Sequence, residues 1–390
     1  MLNRRFWIFA ALLFGAWAPG FTQEGEINPG EAKNRRIVVF DSSVSEEERS
    51  LAVGRAGGRV LKPLGSIHAV AAFFPEHRIA EISGQPGVIR VDEDFVLEAQ
   101  AVRGSARTRG GGDTQPPQQT PWGILRVRAP EAWASSQGSA VKVAILDTGI
   151  RASHPDLIDN LKGGINTINS RKGFNDDNGH GSHVAGIVAA ANNAIGTVGV
   201  GPQIHLYAVK VLGANGMGFL SDVIEGLEWS AQNGMRAANM SLGSSSDNTS
   251  FREAIAAAYA AGIVLVAAAG NSSGGAVSYP ARYSEVIAVS ASDSADQFAG
   301  FSSQGPEVDL IAPGVNIFST YKGKDYANLS GTSMAAPHVT GAAALKIFQN
   351  PALTPDQITS VLKGSADSLG LSTDQQGSGI LNCQRLVSAP

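Results

Sequence analysis

Beyond residue 140 the chain alternates short, continuously apolar runs with longer stretches of small and apolar residues at helical spacing. Val141-Lys142-Val143-Ala144-Ile145-Leu146 is β-branched and apolar, which predicts a buried strand. The same reading predicts further strands over 204–211, 237–241, 263–268 and 286–290. Helices are predicted over 181–191, 219–233, 250–261, 332–349 and 355–364. Strands that are apolar throughout are covered on both faces. With helices between them, they imply an α/β fold: a doubly wound, mostly parallel sheet with helices on both faces.

The pattern before residue 100 differs. Arg36–Phe40 reads as a strand, and Ser43–Gly54 as a helix opened by Ser45 and three glutamates. Strands over 59–61 and 67–74 flank Pro63-Leu64-Gly65, a second helix covers 76–83, and a last strand covers 88–94. Strand, helix, strand, strand, helix, strand is the split βαβ order, a small α+β domain over 36–100. Residues 101–117 are rich in Arg, Gly, Gln and Pro without apolar periodicity, and read as a linker. Residues 118–390 form the larger domain. Residues 1–22 read as a secretory signal peptide: a basic start at Asn3-Arg4-Arg5, an apolar run from Phe6 to Trp17, and a small-x-small step at Ala16-Trp17-Ala18. The apolar run is too short for a stable membrane anchor.

Composition narrows the picture. The 390 residues suit one large and one small domain, and 43% hydrophobic residues permit a substantial core. A net charge of −4 argues against a nucleic-acid surface. The single cysteine, Cys383, excludes a disulfide within the chain and reads as a small, partly packed residue. Persistence outside the cell must then come from packing or bound metal.

Three segments carry the candidate chemistry. Gly331-Thr332-Ser333-Met334-Ala335-Ala336-Pro337-His338 puts a serine on a glycine-led turn at the start of a buried helix. Such a hydroxyl is a poor nucleophile until a base takes its proton. Asn178-Gly179-His180-Gly181-Ser182-His183 supplies a histidine at a second helix start. Asp147-Thr148-Gly149 places an acid where a core strand gives way to its loop. His183 shares a helical face with His180, but no third ligand at metal-like spacing accompanies the pair. His154 and His338 read as packing or hydrogen-bonding residues.

These motifs, in the order Asp, His, Ser, resemble the subtilisin-like serine proteases. A fourth, Ala267-Ala268-Ala269-Gly270-Asn271, agrees with them. The resemblance runs from about Gln118 to the C-terminus, with a weaker one over the preceding segment. It implies that Ser333 is the nucleophile, His180 the general base and Asp147 the residue orienting it. It makes Asn271 an oxyanion donor beside the Ser333 N–H. Ser241, Leu242 and Gly243 would pair with substrate backbone. Ala268, Ala269, Gly270 and Ser278 would line an uncharged primary pocket favouring large apolar or uncharged side chains. Leu220, Val223 and Leu242 would form a second pocket that Leu97 could fill. Gln118, Asp156, Ala191, Asn193, Ile195 and Thr197 match the family's calcium loop. Residues 36–100 would be an inhibitory propeptide that chaperones folding, with the tail Phe95–Gln100 in the cleft.

The function expected on this reading is a secreted, monomeric, calcium-stabilised serine endopeptidase acting on polypeptides, made as an autoprocessing zymogen cut after Gln100 or within the linker. Its activity is expected to fall as pH drops through roughly 6 to 7, where free imidazole titrates. Two other classes share these residues: a binding protein with a decayed site, and an enzyme acting on esters or transferring acyl groups to amines.

Overall fold

The computed structural model describes residues 32–101, 107–108 and 115–389. The expected signal segment and most of the expected linker lie outside the described residues.

The first unit is built from β1 (Arg35–Phe40), α1 (Glu46–Arg55), β2 (Arg59–Leu64), β3 (Ala69–Phe73), α2 (Ile79–Ser83) and β4 (Val88–Glu93). Its four strands form an antiparallel sheet in the order β2-β3-β1-β4. Ser45 caps α1 through a capping box with Glu48, and Glu46, Glu47 and Glu48 lie in its first turn, where they complement the helix dipole. Alternation along β1 and β3 sorts side chains onto two faces. Val38, Phe40, Val70 and Ala72 pack with Ala52, Val53 and Ile82 under the two helices. Ile37, Val39, Ala69 and Ala71 face the other way and join the core of the larger domain.

The larger domain holds β6 (Lys142–Asp147), β7 (Leu161–Asn166), β8 (His205–Lys210), β10 (Ala237–Met240), β12 (Val264–Ala268), β13 (Val286–Ser292) and β14 (Val308–Pro313) in one sheet ordered β14-β13-β12-β10-β6-β8-β7. Every pairing in it is parallel. The chain enters at β6, passes to the edge strand β7, returns to β8 between the two, then crosses to β10 on the other side. The β6/β10 junction is therefore the switch point, and its C-terminal edge is where a ligand crevice opens in such sheets.

Helices cover both faces. α3 (His180–Ala189) and α6 (Thr332–Gln349) pack with Val143, Ile145 and Val266 on one face. α4 (Leu220–Gln232) and α5 (Thr249–Ala260) pack with Ala144, Leu146 and Leu265 on the other. α7 (Pro355–Gly364) follows α6 and begins with a capping box from Thr354 to Gln357.

The sequence reading omitted β7 and β14. β7 reads Leu-Lys-Gly-Gly-Ile-Asn, with too little apolar content for a strand signal, and is held as an edge strand by pairing with β8. In β14, Asp309 interrupts an apolar run. Also unpredicted is the antiparallel hairpin β15 (Ile317–Thr320) and β16 (Tyr326–Leu329). Cys383 is fully buried rather than partly packed, and burial pushes its thiol well above the usual range.

The first unit docks on α4 and α5 by helix ends. Asp94 accepts from the Ser221 N–H and hydroxyl, both at 2.8 Å, at the start of α4, and from Arg35 Nε at 2.8 Å. Asp92 accepts from the Ser250 N–H at 3.2 Å at the start of α5. Both carboxylates sit where free helical N–H groups and the dipole favour an anion. Lys62 adds an ion pair with Asp222 and another, at 2.7 Å, with Glu225.

Candidate active site

Asp147 ends β6 and is fully buried. His180 opens α3, and its Nδ1–H donates to both Asp147 carboxylate oxygens, at 2.8 and 2.9 Å. The Thr148 N–H also donates to Asp147 Oδ1, at 2.7 Å. Only a glycine at 181 permits this approach: a Cβ there would lie 2.2 Å from the Gly149 carbonyl and 3.1 Å from Asp147 Oδ1. Burial alone would push the imidazole down, but the Asp147 charge and hydrogen bond overcome it and hold His180 above its ordinary value of 6.5. Its other nitrogen, Nε2, is buried without a hydrogen-bond partner.

Ser333 lies in the first turn of α6, after Gly331 at the N-cap with φ 147°. Its hydroxyl donates to the Ser241 carbonyl at 3.0 Å, and the Ser241 hydroxyl donates back to the Ser333 carbonyl at 3.0 Å. Proline explains the second bond. Pro337 has no N–H to offer the Ser333 carbonyl four residues earlier, so Ser241 supplies the donor. The fold thus brings Ser333 and His180 to one cleft, but no hydrogen bond joins the hydroxyl to Nε2.

The chain's own segment fills that cleft. β5 (Val96–Ala99) runs antiparallel between β9 (Met217–Phe219) and β11 (Leu242–Gly243) as the middle strand of three. The pairing continues beyond it: Ala99 N–H to Gly216 carbonyl at 2.9 Å, and Gln100 N–H to Ser241 carbonyl at 3.0 Å. The Ser333 N–H, free because it opens a helix, donates to the Gln100 carbonyl at 3.0 Å. Asn271 stands beside it. Its Oδ1 accepts from the Thr332 N–H at 3.0 Å and the Thr332 hydroxyl at 3.1 Å, which anchors the amide by its oxygen and leaves the NH₂ for another acceptor.

Side chains of the segment meet the expected pockets. Leu97 is fully buried in one apolar cluster with Leu220, Val223 and Leu242. A Cβ on Gly243 would lie 3.1 Å from Ser278 Cβ and 3.2 Å from Gln100 Nε2, so that glycine keeps room for the Gln100 side chain. Ala268 and Ala269 are buried, and a Cβ on Gly270 would crowd Ser278 Oγ to 2.5 Å. None of these residues carries a charge. A cavity of about 440 Å³ remains beside Ala99 and Ala101, lined by His180, Tyr321, Lys322 and Leu329 among others.

The loop from Ala191 to Thr197 gathers oxygen. Gln118 Oε1 accepts from the Asn193 and Ala194 N–H groups at 2.9 and 3.0 Å. Asp156 accepts from Asn193 Nδ2 at 3.1 Å and the Thr197 N–H at 2.9 Å. The carbonyls of Ala194 and Gly196 bond to the N–H groups of Gln118 and Gln119. Asp156 is fully buried, no cation among the described residues pairs with it, and burial raises its carboxyl above the ordinary value. A buried carboxylate without a counter-ion, amid neutral oxygen donors, fits a hard cation such as calcium.

Three further histidines, His154, His183 and His338, are structural. His183 Nε2 contacts the Ile317 and Ala327 carbonyls, both at 3.0 Å, and burial holds it neutral, with a pKa of about 3. His154 and His338 bond the carbonyls of Asp325 and Met334 at 3.0 and 2.8 Å. Sequence reasoning missed β9, the second rail for the segment. Its one signal was the turn cluster Gly213-Ala214-Asn215-Gly216 before it. Thr332, which anchors Asn271, carried no separate signal.

Comparison with known proteins gives the family. The subtilase family model matches residues 138–384. Subtilisin Savinase of Lederbergia lenta is 52% identical over 268 residues, 68% of this chain and 98% of that protein. Subtilisin amylosacchariticus of Bacillus subtilis subsp. amylosacchariticus is 39% identical over 98% of this chain and 99% of its own length. Alkaline elastase YaB of Bacillus sp. (strain YaB) is 48% identical over 68% of this chain and 70% of its own length. With the parallel sheet and helices around it, these matches identify the chain as a member of the subtilase family and a subtilisin-like serine endopeptidase.

Proposed function

We propose that this enzyme cuts peptide bonds through Asp147, His180 and Ser333, and that it is made as a secreted zymogen whose N-terminal unit inhibits it until its own active site cuts after Gln100. The observation that carries this reading is the Gln100 carbonyl, held at 3.0 Å by the Ser333 N–H while Val96–Ala99 lies as a middle strand in the cleft. An acyl group bound for attack would occupy that position. His180 takes the Ser333 proton through Nε2, the buried nitrogen that lacks a partner. Its Nδ1–H, committed to Asp147, fixes the tautomer that leaves Nε2 basic. To react, the hydroxyl must turn from the Ser241 carbonyl toward His180. The Asn271 NH₂ and the Ser333 N–H would bind the developing oxyanion. His180 then returns the proton to the leaving amine.

Specificity follows from the same contacts. Backbone pairing on β9 and β11 accepts any extended peptide. The uncharged lining of Ala268, Ala269, Gly270 and Ser278 favours large apolar or uncharged side chains at the residue before the cut, and Leu220, Val223 and Leu242 favour an apolar one three residues earlier. A calcium ion would be held by Gln118, Asp156 and Asn193 side chains with the Ala191, Ile195 and Thr197 carbonyls, supplying the counter-charge that Asp156 lacks. Export rests on the signal-like residues 1–22. Wild type and Ser333→Ala, expressed side by side, test the reading. Mass spectrometry is expected to find wild type cut with Ala101 as the new N-terminus, and the variant as one uncut chain. Cutting of a purified Ser333→Ala chain at the same bond would refute it.

A further inference from the structure

We propose that Asp176 is a positioning residue for this reaction, a second buried carboxylate that locks the strand end carrying Asp147 to the helix start carrying His180. The inference rests on the triad reading above and adds a residue to it. Asp176 is 2% exposed, although it lies in a loop. Its Oδ1 accepts from the Thr148 hydroxyl at 2.9 Å and from the N–H groups of Asn178 and Gly179 at 2.9 and 2.8 Å. Its Oδ2 accepts from the Ser182 N–H at 2.9 Å and the Ser182 hydroxyl at 2.6 Å. These donors belong to the residue after Asp147 and to residues on both sides of His180. The clamp is then closed twice. The Thr148 hydroxyl accepts from the Gly181 N–H at 2.9 Å, and the Ser182 hydroxyl accepts from the Arg151 N–H at 2.9 Å.

A carboxylate suits this place for a physical reason. Its two oxygens can accept from donors on opposite sides at once, whereas an amide offers one oxygen and turns an NH₂ toward the other side. An Asn at 176 would leave either the Ser182 N–H or the Asn178 and Gly179 N–H pair facing a donor. The site is also buried, so an unmatched donor there is costly. No cation among the described residues pairs with Asp176. Lys210, which pairs with the adjacent Asp177, is committed to that carboxylate and to the Thr148 and Leu212 carbonyls. The charge is held by donors on both sides of His180, and it lies close enough to act on the imidazole.

Several groups face His180. Asp147 comes from β6, Asp176 from the preceding loop, neutral His183 from α3 itself, and Lys322 from the cleft rim. The Asp176 charge adds to that of Asp147 in favouring the imidazolium. Position and charge therefore make separable predictions.

The test uses the full mature enzyme on a peptide substrate, with kcat and KM followed against pH, active sites counted with a covalent phosphonate probe, and Tm recorded. Asp176→Asn is expected to lower kcat per labelled site roughly 10- to 100-fold, the scale of a misplaced base, with KM changed less than about twofold. The midpoint of its acid limb is expected to move down, because a negative charge near the ring is gone. Ser182→Ala keeps the charge but loses one arm; it is expected to lower kcat about threefold or more with the midpoint unmoved. An Asp176→Asn enzyme with wild-type kcat and midpoint per labelled site overturns the inference, even if its Tm falls. If Asp176→Asn does not fold, Ser182→Ala decides: lowered kcat at unchanged Tm supports the clamp, and unchanged kcat overturns it. Failure of the underlying reading is distinct, since it would show as wild type that the probe does not label.

Discussion

The two parts of this chain bury their sheets in different ways. The larger domain covers both faces of its parallel sheet with its own helices, and each face has a core of its own. The N-terminal unit covers only one face with its two helices. Its other face, Ile37, Val39, Ala69 and Ala71, is closed by α4 and α5 of its neighbour. A unit of this size buries little surface at best, and this one closes one of its two sheet faces only against its neighbour. The polar contacts tilt the same way, because Asp92 and Asp94 complete helix ends that belong to the larger domain. The difference teaches that the cleft segment is presented by a structure that depends on the enzyme it fills. On the zymogen reading proposed above, the unit loses that support once cut free and need not persist.

The largest expected effect tests whether the parts are separated by the site between them. Ser333→Ala is expected to lower kcat by about 10⁶, the scale known for the nucleophile of a subtilisin, and to leave both parts joined. Peptide turnover by the variant, measured with purified protein, is the check. Next, residues 32–100 alone are expected to be largely unfolded by circular dichroism and to regain structure when the mature domain is added. A cooperative melt of the isolated fragment would break the comparison.

Asp94→Ala attacks the junction directly. It leaves Arg35 and the α4 start without their buried partner, a loss of about 3–5 kcal/mol for such a pair. Inhibition of the mature enzyme by the added fragment is expected to weaken by roughly 10²–10⁴-fold. The pH dependence is smaller. His180 must be neutral to act as a base, and its pKa is raised, so activity is lost as pH falls through a midpoint above 6.5, by about tenfold per unit. Departure of the cleft segment relieves the burial that lowers the imidazole, which keeps the midpoint on that side. A kcat/KM profile with its acid midpoint below 6.5 contradicts the Asp147–His180 coupling. The smallest expected effect is metal removal: chelation is expected to speed thermal inactivation of the mature enzyme severalfold at fixed pH, since Asp156 would lose its counter-charge. An unchanged rate in chelator removes calcium from the reading.

Much of this was legible in the sequence, for identifiable reasons. Continuously apolar runs such as Val143–Leu146 announce a strand covered on both sides, and the alternating order with helices dictates parallel pairing. Asp147, His180 and Ser333 stood out because each sits where a strand or turn gives way to a helix or loop, while the role of Asn271 came only from the family resemblance. Local pattern could not find β7 or the β15/β16 hairpin, whose strands are short or glycine-bearing and exist through their partners. Tertiary structure alone decided the rest: that the Ser333 hydroxyl rests on Ser241 and not on His180, that the Ser241 hydroxyl answers the carbonyl Pro337 leaves open, and that Asp176 gathers donors from both sides of the base. Such contacts join groups up to 92 residues apart. Their geometry depends on how whole layers pack, which no local run of residues encodes.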